Sequence, residues 1–152
     1  MPPPDPTHAT TLMVRDTCLC LHAQRAARAL ARRFDIALKP AGLTSGQFSL
    51  LMSLNRPAPP RLGEVAGVLA MDRTTVTANL KPLERRGLVA TGPDPEDRRS
   101  RLLHLTPSGR EVLASALPIW RQLHAEIEAG LSDPTQLRDD LRLLSTVPES
   151  AV

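Results

Sequence analysis

Between Leu62 and Gly87 two apolar periodicities of helical spacing stand only a short turn apart. The first carries Leu62, Val65, Ala66 and Leu69; the second carries Val76, Leu80 and Leu83. Recurrence at three- and four-residue steps gives each helix one buried stripe. Ala70-Met71 leaves room only for a sharp turn, and Asp72 suits the N-cap of the helix that follows. Gly87 falls at C′, where Leu88 can reach back to Leu83 as a Schellman motif prefers. Two helices so joined form a helix-turn-helix, and this pair fixes the centre of the fold.

The rest of the chain is read around it. A long helix is expected from about Leu12 to Ala41, with Leu19, Ala23, Ala26, Leu30, Phe34 and Ala37 on one stripe. A second opens at Thr44, which with Gln47 forms a capping box, Leu43 and Phe48 taking the staple positions. Leu50, Leu51, Met52 and Leu54 make that helix apolar nearly all round, so burial is expected. Arg56 to Pro60 cannot continue it. After Gly87 come two short strands, Leu88 to Thr91 and Leu102 to Leu105, around a polar loop. Thr106-Pro107 and Asp133-Pro134 then start two further helices. Pro118 is expected to bend the first of them. The fold class is mainly α with a small β-hairpin wing: a winged helix-turn-helix plus a helical dimerisation region. Residues 1–11 and 148–152 read as tails, 1–11 as a disordered one.

Composition agrees with helix and excludes several classes. Aromatic residues are 2% of the 152, with no Tyr, whereas large β-sandwiches lean on them. No apolar run approaches the roughly 18 residues of a membrane helix, and no signal-peptide core appears, so a cytoplasmic protein without membrane contact is expected. His8, His22, His104 and His124 are scattered, and no phosphate loop, nucleophile elbow or His-Glu metal motif occurs. Neither catalysis nor a cofactor is expected. The net charge of +3 suits an anionic partner, and all the basic residues but Lys39 and Lys81 are Arg. Arginine forks match phosphates and guanine edges; a GC-rich genome would give the same bias.

The helix after Asp72 presents two faces. Val76, Leu80 and Leu83 point to the core, while Thr74, Thr77, Ala78, Lys81 and Arg85 share the other side. Small threonines let a helix approach a major groove and meet base edges, and Thr75 joins them near the helix start. Arg73 reaches a phosphate or a guanine; Lys81 and Arg85 suit phosphates. An ordinary polar surface helix would look similar. In the loop, Arg99 is the candidate for a minor groove, with Asp97 holding its guanidinium in a bidentate pair. Arg98 and Arg101 would flank it on phosphates. A solvated, charge-balanced turn is the alternative.

These residues resemble the MarR family of regulators. Leu43-Thr44-Ser45-Gly46-Gln47-Phe48 is similar to the family's Leu-Thr-x-x-Gln-Phe opening. Asp72-Arg73-Thr74-Thr75-Val76-Thr77, running on to Leu83-Glu84-Arg85-Arg86-Gly87-Leu88-Val89, resembles its recognition helix and exit. Asp97-Arg98-Arg99-Ser100, with Leu105-Thr106-Pro107-Ser108-Gly109, resembles its wing. The resemblance implies one domain over 12–147: a winged helix-turn-helix at 44–106, with 12–41 and 107–147 as dimerisation helices. It implies a homodimer on a pseudo-palindromic double-stranded operator, with half-site centres roughly 34–36 Å apart. Leu19, Leu30, Trp120, Leu123, Ile127, Leu137, Leu141 and Leu144 are the candidate interface, monomer core being the alternative. Two departures stand out: Ala70 lies where such turns often carry Gly, and Pro82 sits inside the recognition helix, where a bend after Lys81 is expected.

The implied function is a sequence-specific transcriptional regulator, a repressor released by a small-molecule inducer or an oxidant. An architectural DNA-binding protein with little sequence preference is the alternative. Relatives that respond to organic hydroperoxides carry a thiol near the start of the first helix, where Cys20 is the closer match and Cys18 the second. Those relatives pair the thiol with tyrosines, which this chain lacks. A structural cysteine is the other reading. Cys18 and His22 share a helix face, but two ligands make a poor metal site, so no metal is expected.

Overall fold

The computed structural model describes residues 5–146, and the 148–152 tail lies outside them. In chain order the elements are α1 (His8–Thr17), α2 (Leu19–Ala37), a 3-10 turn (Lys39–Ala41), α3 (Ser45–Leu54) and α4 (Leu62–Leu69). Then follow α5 (Arg73–Arg85), β1 (Val89–Pro93), β2 (Arg101–Leu105), α6 (Pro107–Ala129) and α7 (Pro134–Ser145). None of these helices is long and apolar enough to cross a membrane.

Two expectations at the amino-terminal end need correction. Residues 8–11, read as disordered tail, are the first turn of α1, capped by the Thr7 hydroxyl accepting from the Thr10 N–H. The single helix expected from Leu12 to Ala41 is two. Cys18 is extended (φ −71°, ψ 106°) and separates α1 from α2. Asp16 and Thr17 are weak helix formers, and the Thr17 hydroxyl donates back to the Met13 carbonyl at 2.8 Å. The Cys18 Sγ then starts the next helix by accepting from the Leu21 N–H at 3.4 Å. At its far end α2 stops at Ala37, and Gly42 (φ 69°) turns the chain into α3.

The capping box of α3 forms as expected: the Thr44 hydroxyl accepts from the Gln47 N–H, and the Gln47 side chain accepts from the Thr44 N–H. Leu43 and Phe48 are both buried. Met52, expected inside, is 39% exposed because α4 and α6 leave an apolar cleft over it.

The core runs from Leu38 to Ala116 and joins α3, α4, α5, the hairpin and the first half of α6. Val76, Leu80 and Leu83 anchor α5 in it. Each such burial contributes roughly 1.5–3 kcal/mol, which outweighs the ~3 kcal/mol cost of a proline in a helix interior. Accordingly α5 stays helical through Pro82 to Arg85, and the Arg86 N–H still reaches the Pro82 carbonyl at 3.2 Å. Gly87 (φ 70°) closes the helix with both Schellman bonds, Gly87 N–H to Glu84 and Leu88 N–H to Leu83.

The strands pair antiparallel from Val89↔Leu105 to Pro93↔Arg101, each reaching nearer the loop than expected. The α3–α4 connection adds a partial third strand. Arg61 bridges Leu102, and the Leu103 N–H donates to the Pro60 carbonyl at 3.0 Å. At the start of α6 a Cβ on Gly109 would lie 2.2 Å from the Leu88 carbonyl oxygen, so that close approach requires glycine.

α1, α2 and α7 bury none of their residues. Leu19, Leu30, Leu137, Leu141 and Leu144 are all exposed, and Leu123 and Ile127 half-buried. Trp120 differs from the other interface candidates. It stacks on Phe48 (6.1 Å between centroids) and on His124 (4.5 Å), so much of its surface is spent within its own chain.

Candidate nucleic-acid interface

The reading helix begins with a strong cap. Asp72 accepts from both the Thr75 N–H and the Thr75 hydroxyl at 2.8 Å. The Thr75 N–H is the main reason its carboxyl lies below the usual range. The turn before it resolves the question raised by Ala70, which adopts the left-handed conformation (φ 51°, ψ 43°). An alanine held there is strained by roughly 1–2 kcal/mol, and the Met71 N–H to Ala66 bond helps to hold it.

Outward from this cap, Arg73, Thr74, Thr75, Thr77, Ala78, Lys81 and Arg85 are all exposed. Two hydroxyl protons are already committed: that of Thr75 to Asp72, and that of Thr77 to the Arg73 carbonyl at 2.8 Å. Both threonines therefore offer a base edge an acceptor lone pair and a methyl rather than a donor. At the other end of α5, Glu84 accepts a hydrogen bond from the Thr91 hydroxyl and ties the helix to β1.

Arg98, Arg99 and Arg101 are exposed on the wing. The pair expected between the Arg99 guanidinium and Asp97 does not form. Instead Asp97 accepts the Arg99 backbone N–H at 3.0 Å, and its own carbonyl accepts from Ser100 at 2.9 Å. Asp97 shapes the loop and leaves the Arg99 guanidinium free to project. An Asp two residues before the bonded N–H is a local Asx turn, and that spacing was the signal to read.

The wing's anchor was missed. Asp94 is the one charged residue buried among those described, its side chain 3% exposed. It accepts from the Glu96 N–H at 2.9 Å and from Arg61 Nε at 2.6 Å. The Glu96 N–H and, after it, the Arg61 guanidinium hold its carboxyl below the ordinary range. Arg61 also reaches Glu96 at 3.3 Å. Nothing local announces a partner 33 residues away.

Arg73, Arg99 and Arg101 meet across one cleft of 490 Å³, together with Arg61, Gly63, Glu64 and Asp97. Nearer the helical end, an apolar cleft of 430 Å³ is lined by Phe48, Met52, Val68, Leu69, Leu117 and Trp120. Cys18 is half-buried at its cap position, and Cys20 is exposed, with Gln24 Nε2 donating to its Sγ at 3.2 Å.

A helix-turn-helix whose second helix is anchored by one face and polar on the other, followed by an arginine-tipped hairpin, defines a winged-helix nucleic-acid-binding module. Comparison with known proteins makes the class specific. The family model described as the MarR family matches residues 43–100. The crystal structure of the Mycobacterium tuberculosis regulator MosR in complex with DNA is 38% identical, covers 84% of this chain and 93% of that one, and superposes with a TM-score of 0.78. The repressor CouR bound to a 23-mer DNA duplex is 31% identical, with 88% and 94% covered and a TM-score of 0.72. CouR from Rhodococcus jostii is also known bound to p-coumaroyl-CoA. The activatory protein BadR of Rhodopseudomonas palustris is 40% identical over 102 residues, 63% of this chain and 57% of BadR. The chain belongs to the MarR family. It spans between 55% and 64% of the length of three curated relatives that it matches.

Proposed function

We propose that the chain is a cytoplasmic, homodimeric regulator of transcription, most simply a repressor, that binds a pseudo-palindromic site in double-stranded DNA and catalyses no reaction. One observation carries this reading. The side of α5 opposite the core is a continuous exposed row of Thr74, Thr77, Ala78 and Lys81, and Arg73, the first residue of α5, shares a cleft with the wing arginines. Base edges would meet the threonines and Ala78, phosphates would meet Arg73, Lys81, Arg85, Arg98 and Arg101, and Arg99 would enter the minor groove. A second copy would cover the apolar faces of α2 and α7, bringing Leu19, Leu30, Leu137, Leu141 and Leu144 out of water.

Release has two candidate triggers. The 430 Å³ cleft is almost wholly apolar and sits between the reading unit and α6, which suits a small aromatic or acyl ligand; CouR is a relative found with such a ligand. Oxidation is the other. Cys18 holds the N-cap of α2, its Sγ accepting from the Leu21 N–H, and Cys20 lies exposed to an oxidant.

Selection of bound sequences from random DNA, with and without peroxide, tests the proposal. A regulator keeps a defined site against random competitor by a factor of roughly 10³–10⁷. Arg99→Ala is expected to weaken binding and flatten its salt dependence, while Thr77→Val changes site preference more than affinity. Recovery of no consensus would leave an architectural protein. Peroxide release surviving both Cys18→Ser and Cys20→Ser would remove the thiols from the signal.

A further inference from the structure

Gly63 is the second residue of α4, a first-turn helical position without a left-handed φ, where alanine would ordinarily be the better choice. What distinguishes it is its neighbour. A Cβ built on Gly63 would lie 2.9 Å from Nη2 of Arg73 and 3.4 Å from its Cζ. The Arg73 guanidinium lies flat across the bare backbone of α4, in space that any side chain would take.

That seat decides where the charge points. From the first turn of α5, Arg73 is drawn sideways toward the root of the wing and into the cleft that Arg99 and Arg101 also line. The other charged groups there are already engaged. Arg61 is held by Asp94 and Glu96. Asp97 accepts the Arg99 N–H, and Glu64 accepts the Arg61 N–H at 2.7 Å. Arg73, Arg99 and Arg101 themselves pair with no carboxylate among the described residues. The cleft therefore gathers three guanidinium groups without an ion-pair partner, from two elements that would enter neighbouring grooves, beside the carboxylates of Glu64 and Asp97.

We propose that Gly63 is a positioning residue. Its missing side chain seats Arg73 so that Arg73 and Arg101 together grip one DNA phosphodiester where the strand passes between the major and minor grooves, beside the groove that Arg99 enters. The inference rests on the DNA-binding reading above. A phosphodiester fits better than a base edge because the cleft that Arg73 lines includes neither Thr74 nor Thr77, and 490 Å³ admits a sugar-phosphate unit. The grip would couple the wing to the reading helix through the DNA itself.

Gly63→Ala gives a signature that a merely structural glycine would not. The group it displaces is the mobile end of an exposed arginine, and alanine favours helix, so the thermal midpoint should equal or exceed that of the wild type. Binding to a fluorescent duplex of the selected sequence should nevertheless weaken about tenfold per protomer, equivalent to ~1.4 kcal/mol. The log–log salt slope should become shallower by about 0.9 per protomer. Arg73→Ala should show the same losses, and Gly63→Ala added to it should cost nothing more. One neutral methylphosphonate linkage per half-site should weaken the wild type more than either variant. Undiminished affinity in Gly63→Ala, or a further loss on top of Arg73→Ala, overturns the inference alone. A wild type that selects and binds no duplex overturns the function, and this inference with it.

Discussion

Leu51 and Leu141 are the same side chain on helices of similar length, yet Leu51 is fully enclosed and Leu141 is 45% exposed. The contrast extends to the regions around them. The unit from Leu38 to Ala116 closes its own core, with leucines and valines from six elements facing one another. The helices outside it are patterned as strongly, with Leu19 and Leu30 on α2 and Leu137, Leu141 and Leu144 on α7, but all five of these leucines remain exposed. An amphipathic pattern thus marks a face to be covered, without saying which chain covers it. In the proposed dimer the reading unit is self-sufficient and the helical arms depend on the second copy.

The largest effect expected separates the two regions directly. Leu51→Ala should cost about 2–5 kcal/mol, read by urea unfolding, and the loss should not depend on protein concentration. A loss below about 1 kcal/mol would mean that the reading unit is not the stable part. Next comes Leu137→Glu combined with Leu141→Glu. Circular dichroism should stay helical while sedimentation shows a single copy, each buried leucine being worth roughly 1.5–3 kcal/mol of association. A double variant that sediments as a dimer would move the interface elsewhere.

Acid should destabilise the reading unit. Asp72 and Asp94 both have carboxyls held below the ordinary range, by the Thr75 and Glu96 N–H groups respectively, with Arg61 adding to the second. Unfolded aspartate titrates near ~3.9. The stability these groups supply is therefore complete above that value and is lost as pH falls through the lower folded values. Thermal midpoints measured from pH 7 down to about pH 3 should fall at the acid end. Asp94→Asn should be less stable at neutral pH and show a flatter acid branch; an unchanged slope would deny Asp94 its role. The smallest effect is Ala70→Gly, which relieves the left-handed alanine and should stabilise the turn by about 0.5 kcal/mol. A lower midpoint would show that the turn carries no strain.

Much of this architecture was readable because its signals are local. Thr44 with Gln47, Asp72 with Thr75, and Leu88 with Leu83 all act within five residues, and each forms. The row of Thr74, Thr77, Ala78 and Lys81 follows from helical period alone. The misreadings needed the third dimension or a finer look at the backbone. Arg61 meets Asp94 only because the α3–α4 connection folds against β2, and before that Asp94, Glu96 and Asp97 are equal claimants. Trp120 follows α6's apolar stripe, but Phe48 on α3 decides which neighbour it meets. The break at Cys18 falls just before Leu19, where the apolar stripe begins, and no Gly or Pro marks it, so one helix is read through it.

The wing is fastened at its root three times over, by the Pro60–Leu103 hydrogen bond, the Arg61–Leu102 bridge and the Arg61–Asp94 ion pair. Freedom is left only to the few residues of the fingertip around Arg98, and Pro95 has already given up one of its dihedrals. Freezing a backbone residue costs roughly 1–2 kcal/mol, so a hairpin loose along its whole length would forfeit most of an arginine's attraction to a groove in becoming still. Here that entropy was surrendered when the chain folded, and little remains to be lost on meeting DNA.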